Sequence, residues 1–426
     1  MVTLLLLGNF FIGVYSSLIW RWRMNLTFKT LDDIDVKGKR VLIRVDMNCS
    51  VDPETKKITD ISRIKAIQQT LQELKGSKVV LMAHQGRPGS DDFLSLEQHT
   101  EALNKLGFNA KFVDDIFGEK AKKAISEVKD GEILVLQNVR YFDGELKKAP
   151  AAEVAQEVLV QELYPLVDIF VNDAFGAAHR SQASLVGFTT VLPSFAGRLV
   201  EKEIRTLTSA TATEKHPWTL ILGGSKVEDK VKILNKLLAT DRVDNAVLGG
   251  LIGTLFLIAA EKVPESYSRP IKGYESAIET ARELLKEYPD VIILPEDAAV
   301  ERSDARNDCA FSEMNNDPFL DIGSETIIKY VKIITESAVV FANGPMGYFE
   351  KEPFAKGTSE ILNAIAACEG ITVVGGGHMG AMAQKMNLED KITHISTGGG
   401  ATINFLTGKK LDLVVALEAA AERMDV

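Results

Sequence analysis

From Lys39 onward the chain alternates short, β-branched apolar runs with stretches whose apolar residues recur at helical spacing. That alternation marks βαβ units, because strands covered by helices on both faces read as near-continuous hydrophobic runs. In the first half it predicts strands over 40–45, 78–82, 132–136 and 168–171, with helices over 64–74 and 151–163. The pattern breaks at 192–197, where Pro193 and Gly197 intervene, and restarts as a helix over 198–207. A second series predicts strands near 219–222, 245–248, 291–294, 338–342, 372–374 and 393–396. No internal repeat or low-complexity stretch stands out. The expected fold is α/β: two doubly wound parallel-sheet (Rossmann-like) domains, facing each other across a cleft and joined by a helix hinge. The first covers 24–197 and the second 198–405, in keeping with a 426-residue chain that exceeds what one core usually serves.

Residues 1–23 differ from the rest. An apolar stretch from Leu4 to Trp20 is closed by Arg21, Trp22 and Arg23. It reads either as a signal-anchor helix or as the product of a misplaced start codon, with Met24 the true start. The second reading is favoured, since Gly8, Asn9, Ser16 and Ser17 interrupt the stretch and no basic segment precedes it.

Composition narrows the function classes. With 46% hydrophobic and 25% charged residues the chain is an ordinary globular protein. A net charge of -10 argues against a nucleic-acid partner. Cys49, Cys309 and Cys368 stand far apart and in no ligand spacing, which suits a reducing cytosol and offers neither a metal nor a disulfide framework. A cytoplasmic monomer without a membrane partner is the expectation.

The chemistry gathers where the strands end. Past the first-half strands come Asp46 and Asn48, then His84 and Arg87, then Asn138 and Arg140, then Asn172, Asp173, His179 and Arg180, with Arg63 at the start of the first helix. Ligands of open α/β sheets bind outside the carboxyl ends of the strands, so these side chains should share one crevice. Arginine forks grip carboxylate and phosphate in a bidentate manner, while Asp46 and Asn48 suit a substrate hydroxyl. In the second half the strand ends carry glycine instead: Gly223 and Gly224, Gly249 and Gly250, Gly375 to Gly377, and Gly398 to Gly400. Glycine admits phosphate oxygens to backbone N–H groups, and a following helix N-terminus adds donors. Lys226 and Lys230, spaced i, i+4, lie on one face of the helix beside Gly223 and Gly224.

Two other motifs fall short. Gly375, Gly377 and Gly380 satisfy G-x-G-x-x-G after a strand, but the acidic residue of a dinucleotide site, due about 20 residues later, is missing at Ser396 to Gly398. No P-loop occurs either. An anion site in one domain, a nucleotide site in the other and lysines facing the gap point to phosphoryl transfer, which relies on positioning and positive charge. A carboxylate acceptor would need no general base.

These residues resemble the phosphoglycerate kinase family, over about Lys39 to the C-terminus. The likeness rests on RVDMN (44–48), HQGRP (84–88), LQNVRYF (136–142), NDAFGAAHR (172–180), GGSKVEDK (223–230), NGPMGYFE (343–350) and STGGGA (396–401). It implies reversible phosphoryl transfer between ATP and the carboxylate of 3-phosphoglycerate, giving 1,3-bisphosphoglycerate and ADP in glycolysis or gluconeogenesis, with Mg²⁺ accompanying the nucleotide. It assigns Asp46, Asn48, Arg63, His84, Arg87, Arg140 and Arg180 to the acid substrate. Arg63 and Lys226, with Gly398 and Gly399, become catalytic. Gly223, Gly224, Lys226, Lys230, Gly249, Asn343, Pro345, Glu350, Gly376, Gly377 and Thr397 fall to the nucleotide, Glu350 facing its ribose. The resemblance further implies hinge closure and a C-terminal segment, 406–426, that returns to the first domain.

The chain departs from the family pattern at three places. His378 follows Gly375 to Gly377 where many members carry an aspartate on the metal side, which leaves the protein ligand of Mg²⁺ unassigned. Ala342 replaces a common Trp and Ser324 a common Pro, both suggesting an archaeal-type branch. The competing readings are a nicotinamide dehydrogenase using the loop at 375–380, and a non-enzymatic binder of phosphorylated metabolites.

Overall fold

A computed structural model of the chain describes residues 26–425; the reading of residues 1–23 lies outside them. The chain forms two compact units, one comprising residues through Thr208 together with those from Lys410 onward, the other Ser209–Lys409. The helix Arg198–Ala212 carries the chain from the first into the second.

The first unit is built on a six-stranded parallel sheet: β1 Arg40–Val45, β2 Lys78–Met82, β3 Asn109–Phe112, β4 Glu132–Val135, β5 Ile169–Asp173 and β6 Ser194–Ala196, in the order β3-β4-β2-β1-β5-β6. Alternate residues feed opposite cores, as the pleat requires. Val41, Ile43, Val79 and Leu81 pack with Ile64, Ile67 and Leu71 on one face. Leu42, Val80, Met82 and Phe170 pack with Leu159, Leu163 and Phe188 on the other. The helix Asp412–Met424 completes this unit, with Ala416 in the second core and the Leu413 amide donating to the Ala178 carbonyl at 3.0 Å.

The second unit repeats the plan with β7 Trp218–Leu222, β8 Asn245–Leu248 and β9 Ile292–Ile293. A small antiparallel sheet follows, made of β10 Ala298–Arg302, β11 Ala305–Cys309 and β12 Asp321–Ile322. β13 Val339–Asn343, β14 Ile371–Gly375 and β15 His394–Ser396 then complete a six-stranded parallel sheet of order β15-β14-β13-β7-β8-β9.

The doubly wound α/β reading holds in both units, and the strands that differ do so for local reasons. β3 (NAKF) is an edge strand with only Ala110 buried, so it carries no apolar run. β6 lies inside the stretch expected to be a break; it is three residues long and starts directly after Pro193. The β10–β11 hairpin turns through Ser303 and Asp304, both at positive φ, without the Asn-Gly or Asp-Gly signal of such turns. Two expected helices are each split, one at Ile67 and the other between Val154 and Val158. Among the described residues no helix is long and apolar enough to cross a membrane.

Candidate functional site

Each parallel sheet reverses its winding direction once. In the first unit β1 pairs with β2 on one side and β5 on the other; in the second, β7 pairs with β8 and β13. The carboxyl ends of β1 and β5, and of β7 and β13, therefore flank the switch points at which such sheets bind ligands. The residues singled out above follow these strands, their neighbours β2, β8 and β14, or the next strands out, β4 and β15.

In the first unit they form one network. Arg63 pairs with the buried carboxylate of Asp46, and Gly176 permits that pair, because a Cβ there would collide with Asp46 Oδ2. The Asn48 amide nitrogen donates to Asp46 Oδ1 at 3.1 Å, and Asn48 Oδ1 accepts from the Gly86 amide at 2.8 Å, so the side chain fixes the loop after β2. Arg140 donates to the Gly86 carbonyl, and Asn138 Oδ1 accepts from its amide at 3.1 Å. Arg180 and Arg63 are half-buried, while Arg87 is exposed. Burial lowers Arg140 to about 10, helped by Arg180 and Arg44, so it remains cationic at neutral pH. His84 is the exception to the positive charge: burial drives it well below the ordinary histidine range, and Arg44, Arg140, Arg180 and Arg63 push it the same way.

Asn172 and Asp173 fall within β5 and are fully buried. Asn172 donates to the Leu185 carbonyl at 2.8 Å. Asp173 accepts from Thr70 at 2.6 Å and from the Val200 amide at 3.0 Å, and burial raises it to about 6. Both hold the frame beneath the site. His179 meets Arg180 Nε at 3.4 Å.

Three residues of this network were not predicted. Arg44 is 1% exposed inside β1, and Ser184 and Glu145 beneath it are fully buried. A charged residue in the middle of an otherwise apolar strand was the available signal for Arg44. Nothing in the sequence tied it to Glu145 or Ser184, which lie 101 and 140 positions away.

In the second unit the glycines divide into two kinds. The amides of Gly223, Gly224, Gly249 and Gly250 donate to the carbonyls of Asn343, Pro345, Leu222 and Met346 at 3.1, 2.7, 2.9 and 2.6 Å. A Cβ on Gly223 would strike the Pro345 carbonyl, and one on Gly249 would lie 2.7 Å from Met346 Sδ. These positions let the turns after β7 and β8 pack against residues 343–346. A Cβ on Gly377 or Gly399 would meet no atom within 4 Å, and these two residues open the helices Gly377–Lys385 and Gly399–Leu406, with Gly376 and Gly398 as the N-caps. First-turn N–H groups have no intrahelical partner, which suits them to an anion. Thr397 precedes the second of these caps.

The two lysines differ as well. Lys226 is exposed and stands at the N-cap of Val227–Leu238. Lys230 is buried and donates to the Asn343 carbonyl at 2.8 Å and to Asn343 Oδ1; burial, reinforced by the charge of Lys226, lowers it to about 7. Beside them lies a pocket of about 850 Å³. Its walls include the backbone of Gly224 and Gly250, the rings of Tyr267, Phe319, Phe349 and His378, and Pro345 and Glu350. Of these rings, Phe349 lies in the segment after β13 and His378 beside the Gly375–Gly377 turn, both linked to the nucleotide by the sequence motifs, whereas Tyr267 and Phe319 come from segments with no motif.

No group of three or more His, Cys, Asp or Glu side chains arranged to hold a metal occurs among the described residues. His378 is exposed, its ring 5.3 Å from that of Phe349. As a nitrogen donor, His378 does not supply the oxygen ligand that Mg²⁺ prefers.

A sequence profile described as phosphoglycerate kinase matches residues 31–409. The chain belongs to the phosphoglycerate kinase family. A phosphoglycerate kinase of Methanothermobacter thermautotrophicus is 45% identical over 402 residues, covering 93% of this chain and 98% of the relative. One from Methanobacterium bryantii is 44% identical over 400 residues, covering 92% and 98%. The crystal structure of phosphoglycerate kinase from Pyrococcus horikoshii OT3 superposes with a TM-score of 0.87 at 38% identity, covering 93% of this chain and all of that one. The corresponding structure from Coxiella burnetii gives 0.72 at 30% identity, covering 92% and 100%. The dehydrogenase reading fails on this finding: the loop at 375–380 lies inside the matched span, and its strand–glycine–helix geometry serves a kinase fold.

Proposed function

We propose that the chain catalyses reversible phosphoryl transfer between ATP and the carboxylate of 3-phosphoglycerate, giving ADP and 1,3-bisphosphoglycerate. The observation that carries the residue assignment is the pairing of two switch points, one lined by arginines and the other by glycine turns with an aromatic pocket. Arg63, Arg87, Arg140 and Arg180 hold the anionic three-carbon acid, with Asp46 and Asn48 toward its hydroxyl and His84 as a neutral donor. The base packs in the aromatic pocket with Glu350 near the ribose and Pro345 in its wall, while Asn343 holds Lys230. The phosphates lie toward Lys226, Lys230, and the helix starts after Gly376, Gly377, Thr397, Gly398 and Gly399. Lys226, free of side-chain hydrogen bonds at its N-cap, follows the transferring group. Arg63 neutralises charge that develops on it, an effect worth most where water is excluded. The divalent ion travels with the nucleotide, held by phosphate oxygens and water. A glycolytic or gluconeogenic place, a monomeric state and a cytoplasmic setting complete the reading.

The test is direct. The full chain, given MgATP and 3-phosphoglycerate, should form an acyl phosphate that hydroxylamine traps as a hydroxamate, together with stoichiometric ADP. Absence of trapped product with both substrates saturating, while the protein is folded, would refute the proposal.

A further inference from the structure

Arg44 is nearly inaccessible, yet its guanidinium is spread across three partners. Nη1 donates to the Val45 carbonyl, Nε donates to Ser184 Oγ at 2.8 Å, and Nη2 lies 3.0 Å from His84 Nδ1. Ser184 in turn lies 2.6 Å from Glu145 Oε1 through its hydroxyl and donates its amide to Oε2 at 3.0 Å. Glu145 is fully buried, which pushes its carboxyl up, while Arg44, the two bonds from Ser184 and Arg140 favour the carboxylate; in that state its charge, with that of Asp46, offsets the cost of burying Arg44.

Donor and acceptor roles along this chain are forced. Arginine has donors only, so Ser184 Oγ must accept from Nε and turn its own proton to Glu145, and His84 Nδ1 must accept from Nη2. A lone pair on Nδ1 leaves the ring proton on Nε2; an imidazolium would set two donors against each other. We infer that Glu145, Ser184 and Arg44 act as positioning residues that lock His84 in the neutral tautomer protonated on Nε2, aiming one hydrogen-bond donor at the bound acid. This rests on the assignment of the first-unit site to 3-phosphoglycerate.

The surroundings favour the same state from every side. His84 is faced by Arg44 from β1, Arg63 from the first helix, Arg140 after β4 and Arg180 after β5, with Asp46 and Glu145 answering Arg63 and Arg44. Among the described residues no side chain or carbonyl bonds to Nε2. A neutral donor contributes direction where a fifth cation would add only repulsion between the positive groups. The tie also joins the ends of β1 and β2 to the segment holding Ser184.

The experiment is ring nitrogen NMR on histidine-labelled, substrate-free protein, with His84 assigned by the signal lost in His84→Gln. The expected result is an unprotonated Nδ1 and protonated Nε2 from pH 8 down to about 5.5, a unit below the ordinary histidine midpoint of about 6.5. Ser184→Ala takes the anchor from Arg44 Nε and should let the Nδ1-protonated tautomer appear in the neutral ring, while burial and the four arginines keep the ring uncharged. It should also raise KM for 3-phosphoglycerate roughly tenfold, about the loss of one well-aimed hydrogen bond, while KM for ATP stays within twofold. If Ser184→Ala does not fold, Glu145→Gln is read the same way, and the native ring measurement stands alone. A protonated Nδ1 at pH 7 in the native protein would overturn the inference, and so would a Ser184→Ala variant with unchanged tautomer and KM. A correctly locked ring whose signals 3-phosphoglycerate does not move would instead remove the substrate assignment of the site.

Discussion

The two switch points share one architecture and use opposite materials. In the first unit, binding groups are side chains that hold one another: Arg63 on Asp46, Arg140 on Gly86, Arg44 on Ser184 and His84. In the second, backbone is left open at the helix starts of Gly377 and Gly399, aromatic rings wall the pocket, and the exposed Lys226 stands at its own helix N-cap without bonding to them. A site made of mutually bonded side chains is rigid before its ligand arrives but loses stability when one member goes. A site made of backbone tolerates loss of a side chain and fails when one is added where the turns are close-packed.

The sharpest way to break that contrast is to remove one cation from each. Lys226→Ala should lower kcat by about 10²–10³, the scale for losing a single group aimed at developing charge, with stability unchanged within about 0.5 kcal/mol. Arg63→Ala should lower turnover at least as far, and should also cost roughly 1–3 kcal/mol because Asp46, 3% exposed, loses its partner. Steady-state rates and urea unfolding measure both. Near-normal turnover in both variants would end the catalytic assignment, and equal stability losses would erase the difference between the sites.

A second pair of variants asks the question within the glycines. Gly223→Ala places a methyl against the Pro345 carbonyl and should destabilise the second unit by about 1–3 kcal/mol, as overpacking does. Gly399→Ala meets open space in the first turn of a helix and should leave the melting temperature unchanged or slightly raised, since alanine is the better helix former by up to about 1 kcal/mol. Any loss in Gly399→Ala should fall on KM for ATP. If instead Gly223→Ala melts normally, the close packing of the β7 and β13 turns is not the reason for that glycine.

Much of this arrangement was legible in the sequence. Strands such as β1, β2 and β8 are apolar runs buried on both faces, and burial on both faces is what writes a strand into composition. Elements whose formation depends on a partner left no such trace: β3 and β6 are edges, and the β10–β11 hairpin turns on Ser303 and Asp304. Arg63, His84, Arg140 and Arg180 could be named because strand ends gather ligand groups. Their supports could not: Glu145 matters only because the chain folds it under Arg44, and the Tyr267 and Phe319 walls come from segments with no motif. The glycine clusters were visible as clusters, but whether an amide is spent on a neighbouring carbonyl or left for phosphate depends on a turn that sequence spacing does not describe.

The smallest expected effect concerns proton linkage at Lys230. Its folded-state value, about 7, lies below the ordinary lysine value near 10.5 because the ammonium is buried, and Lys226 adds repulsion. Between those values the folded protein binds fewer protons than the unfolded one, so stability rises with pH across about 7 to 10 at this site. Phosphate contact has the opposite demand, since it favours the charged lysine. ATP affinity should therefore fall as pH climbs from about 6.5 to 8.5, and binding near pH 7.5 should take up a fraction of a proton, visible as calorimetric heats that depend on the ionisation enthalpy of the buffer. Lys230→Met should abolish both the uptake and the slope while removing a donor to Asn343. The first unit supplies the control, because His84 is held neutral there and 3-phosphoglycerate binding should draw no proton over the same range. Proton uptake with the acid and none with ATP would reverse the assignment of the two sites.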